Sequence, residues 1–295
     1  MSTHLSWSQY WRGGAGESLQ AHPASPLYGF ASEYFLKRIS TQESVLDIAT
    51  GNGALLRRLP LEHGGLRAGV DYSDISPQLE LRNKHSFVRM DGSRLGFAAS
   101  SFDWVVSQFG FEYVSREPAL AELFRVLRER AQVMLLCHRE GSYLCAHSKQ
   151  QLLEAQLLMK SPLFLLARQW SECFHCEQFE RCELKLCMDS LFAQIRLPKE
   201  SSLLLALLHG VMQWVRDVQS GRYTGQQAQQ IVNQWVIALE ANIERLAHQL
   251  DVALGTKDQK YLINEFKRQG FKAKTVAISE QGRSLAWGMY FSRGG

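Results

Sequence analysis

The hydrophobic and polar positions of the chain change character twice. From Ser44 to Glu140, short apolar runs alternate with amphipathic segments. From Gly141 to about Asp258, apolar residues recur with helical periodicity, and no segment resembles a strand. A further helix ends near Gly270, and two alternating runs then surround the turn Glu-Gln-Gly-Arg, as in an antiparallel strand pair. This order of elements predicts an α/β fold with a large helical insertion.

Seven runs of the chain are predicted to be strands. They are VLDIA, LRAGVD, SFVRMD, FDWVVSQ, AQVMLLC, FKAKTVAI and LAWGMYFS. We expect helices between the first five runs, over about 54–59, near 77–84 and over 117–128. Short β-rich runs separated by helices are typical of a parallel sheet with right-handed connections.

The same pattern divides the chain into three parts. Residues 1–43 are expected to form a helical cap of one or two helices. Residues 44–140 and 259–295 form the predicted α/β domain, and residues 141–258 form the insertion, with four or more helices broken at Pro162, Pro198 and Gly221. With 295 residues, 45% hydrophobic and 21% charged, the composition excludes a disordered or collagen-like chain.

The charge balance gives little support for a nucleic-acid partner. Lys and Arg number 33 against 29 Asp and Glu, a formal net charge of +4. The surplus lies in residues 259–295, where Lys260, Lys267, Arg268, Lys272 and Lys274 are grouped. A surplus this small and local does not by itself predict a polyanion partner.

The sequence favours a cytoplasmic protein without a membrane segment. The N-terminal residues are polar and aromatic, where an export signal would need an apolar run. The most apolar stretches either carry charges or fall short of the roughly 20 residues that span a bilayer. Six cysteines lie between Cys137 and Cys187, and without an export signal we expect reduced thiols.

The strongest chemical signal is the run from Val45 to Ala54, which reads VLDIATGNGA. An apolar strand ends there in a Gly-x-Gly turn, which lets the backbone approach a ligand beside a helix N-terminus. Leu56 occupies the third glycine position of the dinucleotide-binding pattern, and Asp47 would repel a pyrophosphate. The acid instead favours an ammonium or a ligand that donates hydrogen bonds.

Two more acids follow the next two predicted strands. Asp71 ends the second strand, 18 residues after Gly53, where this fold class places a carboxylate for ribose hydroxyls. Asp91 follows the third strand and precedes Gly92. Three acids at successive strand ends indicate a ligand crevice at the carboxyl edge of the sheet. A helix cap remains the alternative interpretation of Asp71.

These motifs, in this order, resemble those of class I S-adenosylmethionine-dependent methyltransferases over about residues 30–140 and 259–295. The resemblance implies a Rossmann-like, mostly parallel, seven-stranded sheet in the order 3-2-1-4-5-7-6, with S-adenosylmethionine as cofactor. It implies that nine residues bind the cofactor, namely Asp47, Ala49, Gly51, Gly53, Asp71, Tyr72, Asp91, Gly92 and Gln108. Ala49 departs from the family, which most often has glycine there.

Methyl transfer from a sulfonium needs positioning and, for some acceptors, removal of a proton. Glu112 and His138 are the predicted catalytic residues, since they follow the fourth and fifth strands, and Tyr113 is a further candidate. Each has a structural alternative. Glu112 would be a solvent-facing carboxylate at the start of a helix, and His138 would satisfy a local hydrogen bond.

The insertion over residues 141–258 is expected to cover the acceptor as a lid, so the preferred partner is a small or medium-sized molecule. A nucleic-acid or protein methyltransferase and a cofactor-binding scaffold without turnover remain alternatives. Cys173 and Cys176 have the spacing of a zinc pair, but Cys182 and Cys187 follow too closely. No metal is expected; on one continuous helix, Cys173, Cys176 and Cys187 would share a buried face.

Overall fold

Seven strands form a single sheet. The structure, a computed structural model, describes residues 3–15, 24–60, 62, 64–173, 182–194 and 202–294. In chain order the strands are β1 (Val45–Ile48), β2 (Arg67–Asp71), β3 (Ser86–Arg89), β4 (Phe102–Gln108), β5 (Leu127–His138), β6 (Lys272–Glu280) and β7 (Arg283–Ser292).

The strands are ordered β3-β2-β1-β4-β5-β7-β6. Strands β1 to β5 run parallel, and β7 pairs antiparallel with both β5 and β6. The predicted fold class and strand order are therefore confirmed. Since the parallel strands end at one edge, the segments that follow β1 to β4 lie close together there.

Ten α-helices occur among the described residues. They are α1 (Thr3–Arg12), α2 (Pro26–Ala31), α3 (Leu79–Arg82), α4 (Arg116–Val126), α5 (Tyr143–Lys160), α6 (Leu163–Cys173), α7 (Glu183–Phe192), α8 (Leu203–Gln219), α9 (Gly225–Val252) and α10 (Thr256–Arg268). A π-helical turn, Ser32–Leu36, extends α2, and 3₁₀ turns cover Leu56–Arg58 and Phe111–Tyr113.

Both faces of the central sheet are buried. On β1 and β4, Leu46 and Val105 pack on one face, whereas Val45, Trp104 and Val106 pack on the other. All five side chains are buried. Because successive strand residues point to opposite faces, a sheet covered on both sides needs continuous apolar runs rather than alternation. This is why the central strands β1 and β4 lack a polar face, whereas β3 and β6, at the two edges of the sheet, are mostly exposed.

The chain divides into two compact units. The first contains Met1–Ala146 and His248–Gly295 and includes the sheet, and the second contains His147–Ala247. The second unit has its own core, in which the Trp170 and Trp214 rings lie 5.6 Å apart between centroids. Among the helices in the described ranges, none is long and apolar enough to cross a membrane.

The helix predicted over residues 54–59 is wrong in extent. Only the 3₁₀ turn Leu56–Arg58 forms after the glycine turn. Leu59 is extended, with ψ 146°, because a residue before proline is disfavoured in the helical region and Pro60 follows. The short segment therefore offers no regular α-helix N-terminus to a ligand beside the glycine turn.

The predicted antiparallel pair at the end of the chain is confirmed. Strands β6 and β7 are joined by a two-residue turn at Gln281 and Gly282, with φ of 49° and 77°. Positive φ at both central residues is typical of the tight turn that matches the twist of the flanking strands.

The cysteine-rich segment is only partly described. Helix α6 ends at Cys173 and α7 begins at Glu183, while Cys176 lies outside the described residues. Cys182, just before α7, has extended backbone with ψ 158°, so the single continuous helix expected to carry Cys173, Cys176 and Cys187 is interrupted there. No group of three or more potential metal ligands occurs within the described ranges.

Gly288 provides a test of how α2 packs on the sheet. A Cβ atom there would lie 2.6 Å from the Phe30 ring, so we expect Gly288→Ala to lower the free energy of unfolding by about 1–3 kcal/mol. Gly29→Ala is the matched variant. Gly29 is an exposed residue of α2, and a Cβ atom added there would have no other atom within 4 Å, so stability should rise by up to about 1 kcal/mol. Urea unfolding measures both, and equal effects would contradict the packing described.

Candidate active site

A cavity of about 420 Å³ lies at the carboxyl edge of the sheet. Residues that follow β1, β2, β3 and β4 all contribute to its wall. Most of the residues predicted to bind a cofactor line it, namely Asp47, Ala49, Asp71, Tyr72, Asp91, Gly92 and Gln108. Gly51 and Gly53 are not among the lining residues. The strand ends therefore bring the separate sequence motifs into one site.

Asp71 connects the end of β2 to the glycine turn. Its Oδ2 accepts a hydrogen bond from the Gly51 N–H at 2.9 Å, and its Oδ1 accepts one from the Ser73 N–H at 2.9 Å. The side chain is buried, and burial raises the pKa of Asp71 despite these hydrogen bonds, which lower it. The carboxylate therefore fixes two loops, while each oxygen keeps a further lone pair for a ligand.

Asp47 is a second buried acid of the cavity. The Thr50 Oγ1–H donates to its Oδ2 at 2.7 Å. Burial, together with the nearby charge of Asp71 and against the Thr50 hydrogen bond, raises the pKa of Asp47 to about 7. A buried carboxylate without a cation is costly in its charged form. A cationic group in the cavity would relieve that cost.

The turn between β1 and the 3₁₀ turn depends on left-handed backbone. Ala49 has φ 55°, and Gly51 and Gly53 have φ 53° and 83°. A Cβ at Gly51 would lie 2.5 Å from the Trp11 ring, and one at Gly53 would lie 2.8 Å from the Phe87 ring. The two glycines thus shape the turn and contact protein side chains. The positive φ at Ala49 gives a physical reason why glycine is common there.

The other predicted residues differ in exposure. Tyr72 is half exposed, whereas Asp91 follows β3 and its Oδ1 accepts hydrogen bonds from the Ser93 N–H and Oγ–H at 2.8 and 2.7 Å. Gln108 ends β4, and its Oε1 is buried without a hydrogen bond from any described residue. A buried amide oxygen without a donor is costly, so a donor from a ligand fits this position.

Helix α1 lies over one side of the cavity. Trp7 and Trp11 both line it, and their rings stack with centroids 6.2 Å apart. The Asn52 side-chain amide donates to the Trp11 carbonyl at 3.0 Å, and its Oδ1 accepts from the Ser76 N–H at 2.7 Å. Asn52, in the glycine turn, therefore ties the helix to the cavity wall.

A second set of contacts holds the same helix. Ser8 Oγ accepts a hydrogen bond from the Asp74 N–H at 2.9 Å. The Asp74 carboxylate in turn pairs with Arg12 of α1 and with Arg89 of β3, the latter at 2.7 Å. These groups are partly exposed, so the ion pairs contribute little stability and mainly orient the helix.

Beyond β4, aromatic groups line part of the cavity. Phe109, with φ 54°, lines it together with Tyr113 and His248. The sequence indicated Tyr113 from its place after the fourth strand. It gave no sign of His248, which is one polar residue in a helical, Gln-rich segment, because only the fold brings the end of α9 to this edge.

Glu112 and His138, the predicted catalytic pair, contact each other. The Glu112 Oε1 lies 2.7 Å from His138 Nδ1 and accepts the His138 backbone N–H at 2.8 Å. The Glu112 side chain is fully buried, and neither residue lines the cavity. The His138 ring contacts Phe109 and Tyr113, with centroids 4.6 and 6.1 Å away, so the pair supports the aromatic wall. A catalytic role for it stays a prediction.

Comparison with known families agrees with this geometry. Residues 46–135, which contain β1 to β4 and most of β5, match the family model described as a methyltransferase domain. The chain carries a methyltransferase domain. With its strand order 3-2-1-4-5-7-6, this is a class I domain, and its cofactor is S-adenosylmethionine. No curated protein sequence is similar enough to match the chain.

Three solved methyltransferase structures are similar to this chain. One from Haloferax volcanii, in complex with the Trm112 methyltransferase activator, is 22% identical over 50% of this chain and 66% of its own, with a TM-score of 0.39. An S-adenosylmethionine-dependent methyltransferase from Aquifex aeolicus is 14% identical over 91% of this chain and 93% of its own, with a TM-score of 0.39. The Burkholderia thailandensis 1,6-didemethyltoxoflavin-N1-methyltransferase is 18% identical over 47% and 63%, with a TM-score of 0.37. The matched part is less than two thirds of the Haloferax and Burkholderia chains. At these TM-scores the likenesses carry no argument about the acceptor.

The hydrogen-bond acceptors of the cavity fit S-adenosylmethionine. The cofactor carries an ammonium, a sulfonium, ribose hydroxyls and an adenine amine. The methyltransferase domain offers the buried Asp47 carboxylate, the Gln108 Oε1 without a donor, and Asp71 and Asp91. These groups accept hydrogen bonds or attract cations.

Asp47 gives the domain a defined pH dependence in the absence of ligand. Since its pKa is higher in the folded state than in the unfolded chain, folded protein binds the proton more tightly. The free energy of unfolding should therefore fall as pH rises from about 4 to about 7. Asp47→Asn removes this loss and should be more stable than the native protein by about 2–4 kcal/mol at about pH 8, but not at about pH 4.

Urea unfolding at the two pH values measures this difference. The matched variant Glu80→Gln, which removes an acid from the exposed face of α3, should show no such pH-dependent gain. Equal stability changes for Asp47→Asn at both pH values would contradict a raised pKa.

Ala49 should be replaceable by glycine without loss of stability. Its left-handed backbone costs a non-glycine residue about 1–2 kcal/mol, which offsets the greater unfolded-state freedom of glycine. In the neighbouring Ala54, where φ is negative, the same change should lower stability by about 0.5–1 kcal/mol. Equal losses in urea unfolding of the two variants would contradict strain at Ala49.

Proposed function

We propose that the protein transfers a methyl group from S-adenosylmethionine to a small or medium-sized acceptor molecule. The observation that carries the proposal is the buried, unpaired acceptor set at the ends of β1 and β4. Among the described residues, no Lys or Arg lines the cavity to pair with the buried Asp47 carboxylate, whose hydrogen bond from Thr50 leaves its burial only partly offset, and no group donates to the buried Gln108 Oε1. A purely structural site would leave both groups at an energetic disadvantage.

Each predicted cofactor residue has a role in this proposal. Asp47 and Gln108 bind the methionine ammonium, as a carboxylate and an amide oxygen do well. Asp71 accepts from the ribose hydroxyls with the lone pairs that its backbone hydrogen bonds leave over. Asp91 and Gly92 contact the adenine amine and ring, and Tyr72 lies beside them.

The glycine turn contributes indirectly. Ala49 lines the cavity with backbone held at positive φ, and Gly51 and Gly53 permit that turn. The Gly51 N–H, by donating to Asp71, keeps the carboxylate aimed at the cavity. We therefore assign Gly51 and Gly53 to the shaping of the cofactor site.

The reaction needs little more than positioning. When bound, S-adenosylmethionine supplies an electrophilic methyl group whose leaving group is a neutral thioether. Trp7, Trp11 and Phe109 exclude water from the cavity, and a dry site strengthens the attraction between an acid and a cation. Glu112 and His138 support Phe109 and Tyr113 from behind, and a direct catalytic role would require one of them to reach the acceptor.

The size of the cavity supports a small-molecule ligand. Its volume of about 420 Å³ lies within the range of small-molecule sites and has to hold the cofactor, so an acceptor bound beside the cofactor in it must be small. The lid role of residues 141–258 and the cytoplasmic location stay predictions from the sequence. Nucleic-acid and protein acceptors are alternatives that an assay of acceptors decides.

Calorimetric titration tests the cofactor assignment. S-adenosylmethionine and S-adenosylhomocysteine should bind, and NAD should not, since Asp47 repels its pyrophosphate. Asp91→Asn and Asp71→Asn should each weaken binding about tenfold or more, the expected loss when a charged hydrogen-bond acceptor is removed. Asp91 is exposed, so its variant is the one expected to leave the fold intact.

The control is Glu80→Gln, which removes a negative charge from the neighbouring helix α3 without altering the cavity. Its affinity should stay within about twofold of the native value. Binding of NAD in preference to both sulfur compounds, or binding that is indifferent to both aspartates, would refute the proposed function.

A further inference from the structure

Three side chains from distant parts of the chain meet at the aromatic part of the cavity wall. The Trp7 ring meets the Tyr113 ring edge-on, with centroids 5.4 Å apart and planes at 86°. The Tyr113 ring meets that of His248 in the same way, at 5.0 Å and 85°. All three line the cavity. Flat rings arranged edge-on leave faces and edges suited to another planar ring.

His248 brings an acceptor nitrogen to this group. Its Nδ1 is buried and has no hydrogen-bond partner among the described residues. Burial lowers the pKa of His248, an effect that the charge of Asp251 partly opposes. The imidazole is therefore neutral near pH 7, and one of its nitrogens accepts a hydrogen bond. A ligand that donates a hydrogen bond would satisfy Nδ1.

The charge of the cavity wall restricts the ligand further. Three carboxylates line it, those of Asp47, Asp71 and Asp91, whereas no Lys or Arg of the described residues does. An acidic acceptor, such as a carboxylate or a phosphate ester, would meet unpaired negative charge without a compensating cation. The electrostatics thus favour a neutral acceptor.

We propose that the acceptor is a neutral, planar aromatic molecule that donates a hydrogen bond from a hydroxyl or ring N–H to His248 Nδ1, with Trp7 and Tyr113 enclosing its ring. This inference rests on the proposed function and names its substrate class. It also assigns the proton acceptor to His248, a residue of the cavity wall, in place of Glu112 or His138.

The proton and electrons balance in this arrangement. The acceptor oxygen or nitrogen loses its proton to Nδ1 and uses the electron pair of that bond to bond the methyl carbon. The carbon–sulfur bond breaks with its electrons on sulfur, which leaves as the neutral thioether of S-adenosylhomocysteine. The imidazolium then releases its proton to solvent, so no further reactant is needed.

Probe binding to the protein saturated with S-adenosylhomocysteine tests the inference. The probes are 4-nitrophenol, benzoate and cyclohexanol, followed by calorimetry. We expect 4-nitrophenol to bind at least about tenfold more tightly than the anionic and the non-aromatic probes. Near its pKa the free probe is partly ionised, and on binding its absorption should shift towards that of the neutral phenol, because the phenol O–H donates to His248 Nδ1 and no Lys or Arg of the described cavity wall stabilises a phenolate.

His248→Gln keeps the size and polarity of the side chain but cannot take up a proton. It should weaken 4-nitrophenol binding about tenfold and abolish the absorption shift, while S-adenosylhomocysteine affinity stays within about twofold. His209→Gln, a histidine that does not line the cavity, is the matched control and should change neither. Unchanged cofactor affinity shows that the variant is folded.

The possible outcomes separate the two proposals. If S-adenosylhomocysteine does not bind the native protein, the proposed function fails, and this inference fails with it. If it binds but 4-nitrophenol does not, or benzoate or cyclohexanol binds equally well, only the inference is overturned. An absorption shift that persists in His248→Gln and is lost in Glu112→Gln would assign the proton acceptor to the Glu112–His138 pair.

Discussion

The site depends on one buried carboxylate that holds two loops together. Asp71 accepts the backbone N–H groups of Gly51 and Ser73, which belong to the segments that follow β1 and β2. Parallel pairing brings these segments to the same edge but does not fix their loops, because the ladder ends with the strands. The carboxylate supplies that missing restraint. The restrained turn contains the positive φ values of Ala49 and Gly51, whereas Asp47 is placed by the pairing of β1 with β2 and β4.

The same arrangement favours ligand binding at a cost in the stability of the empty protein. Two buried acids, Asp47 and Asp71, line one cavity, and burial raises the pKa of both, while the charge of Asp71 adds to the rise at Asp47. Ordinary packing would replace one of them with an apolar residue. Their presence makes sense when a positively charged ligand completes the site, since a binding cavity is built for its ligand rather than for the empty protein.

The sequence predicted the sheet and the acids of the cavity wall because those features are local. Apolar runs define strands, and parallel strands place Asp47, Asp71 and Asp91 at one edge regardless of distant details. The extent of the helix after the glycine turn was mispredicted, because Pro60 outweighs the apolar periodicity before it. His248 could not be found, because its role depends on where a long helix ends in space. The burial of Glu112 is likewise set by contacts with β5 that no local pattern reveals.

Helix α1 has only ten residues, too few for a stable helix in water by itself. The helix contacts Asn52, Asp74 and Tyr113, which lie roughly 40 to 110 residues further along the sequence. These contacts stabilise its helical conformation. Undocking and melting of this helix are therefore a single event. Opening of the cavity from that side should therefore behave as a local unfolding reaction. It should depend steeply on temperature and denaturant and show a heat-capacity change, unlike a rigid-body motion of the helix.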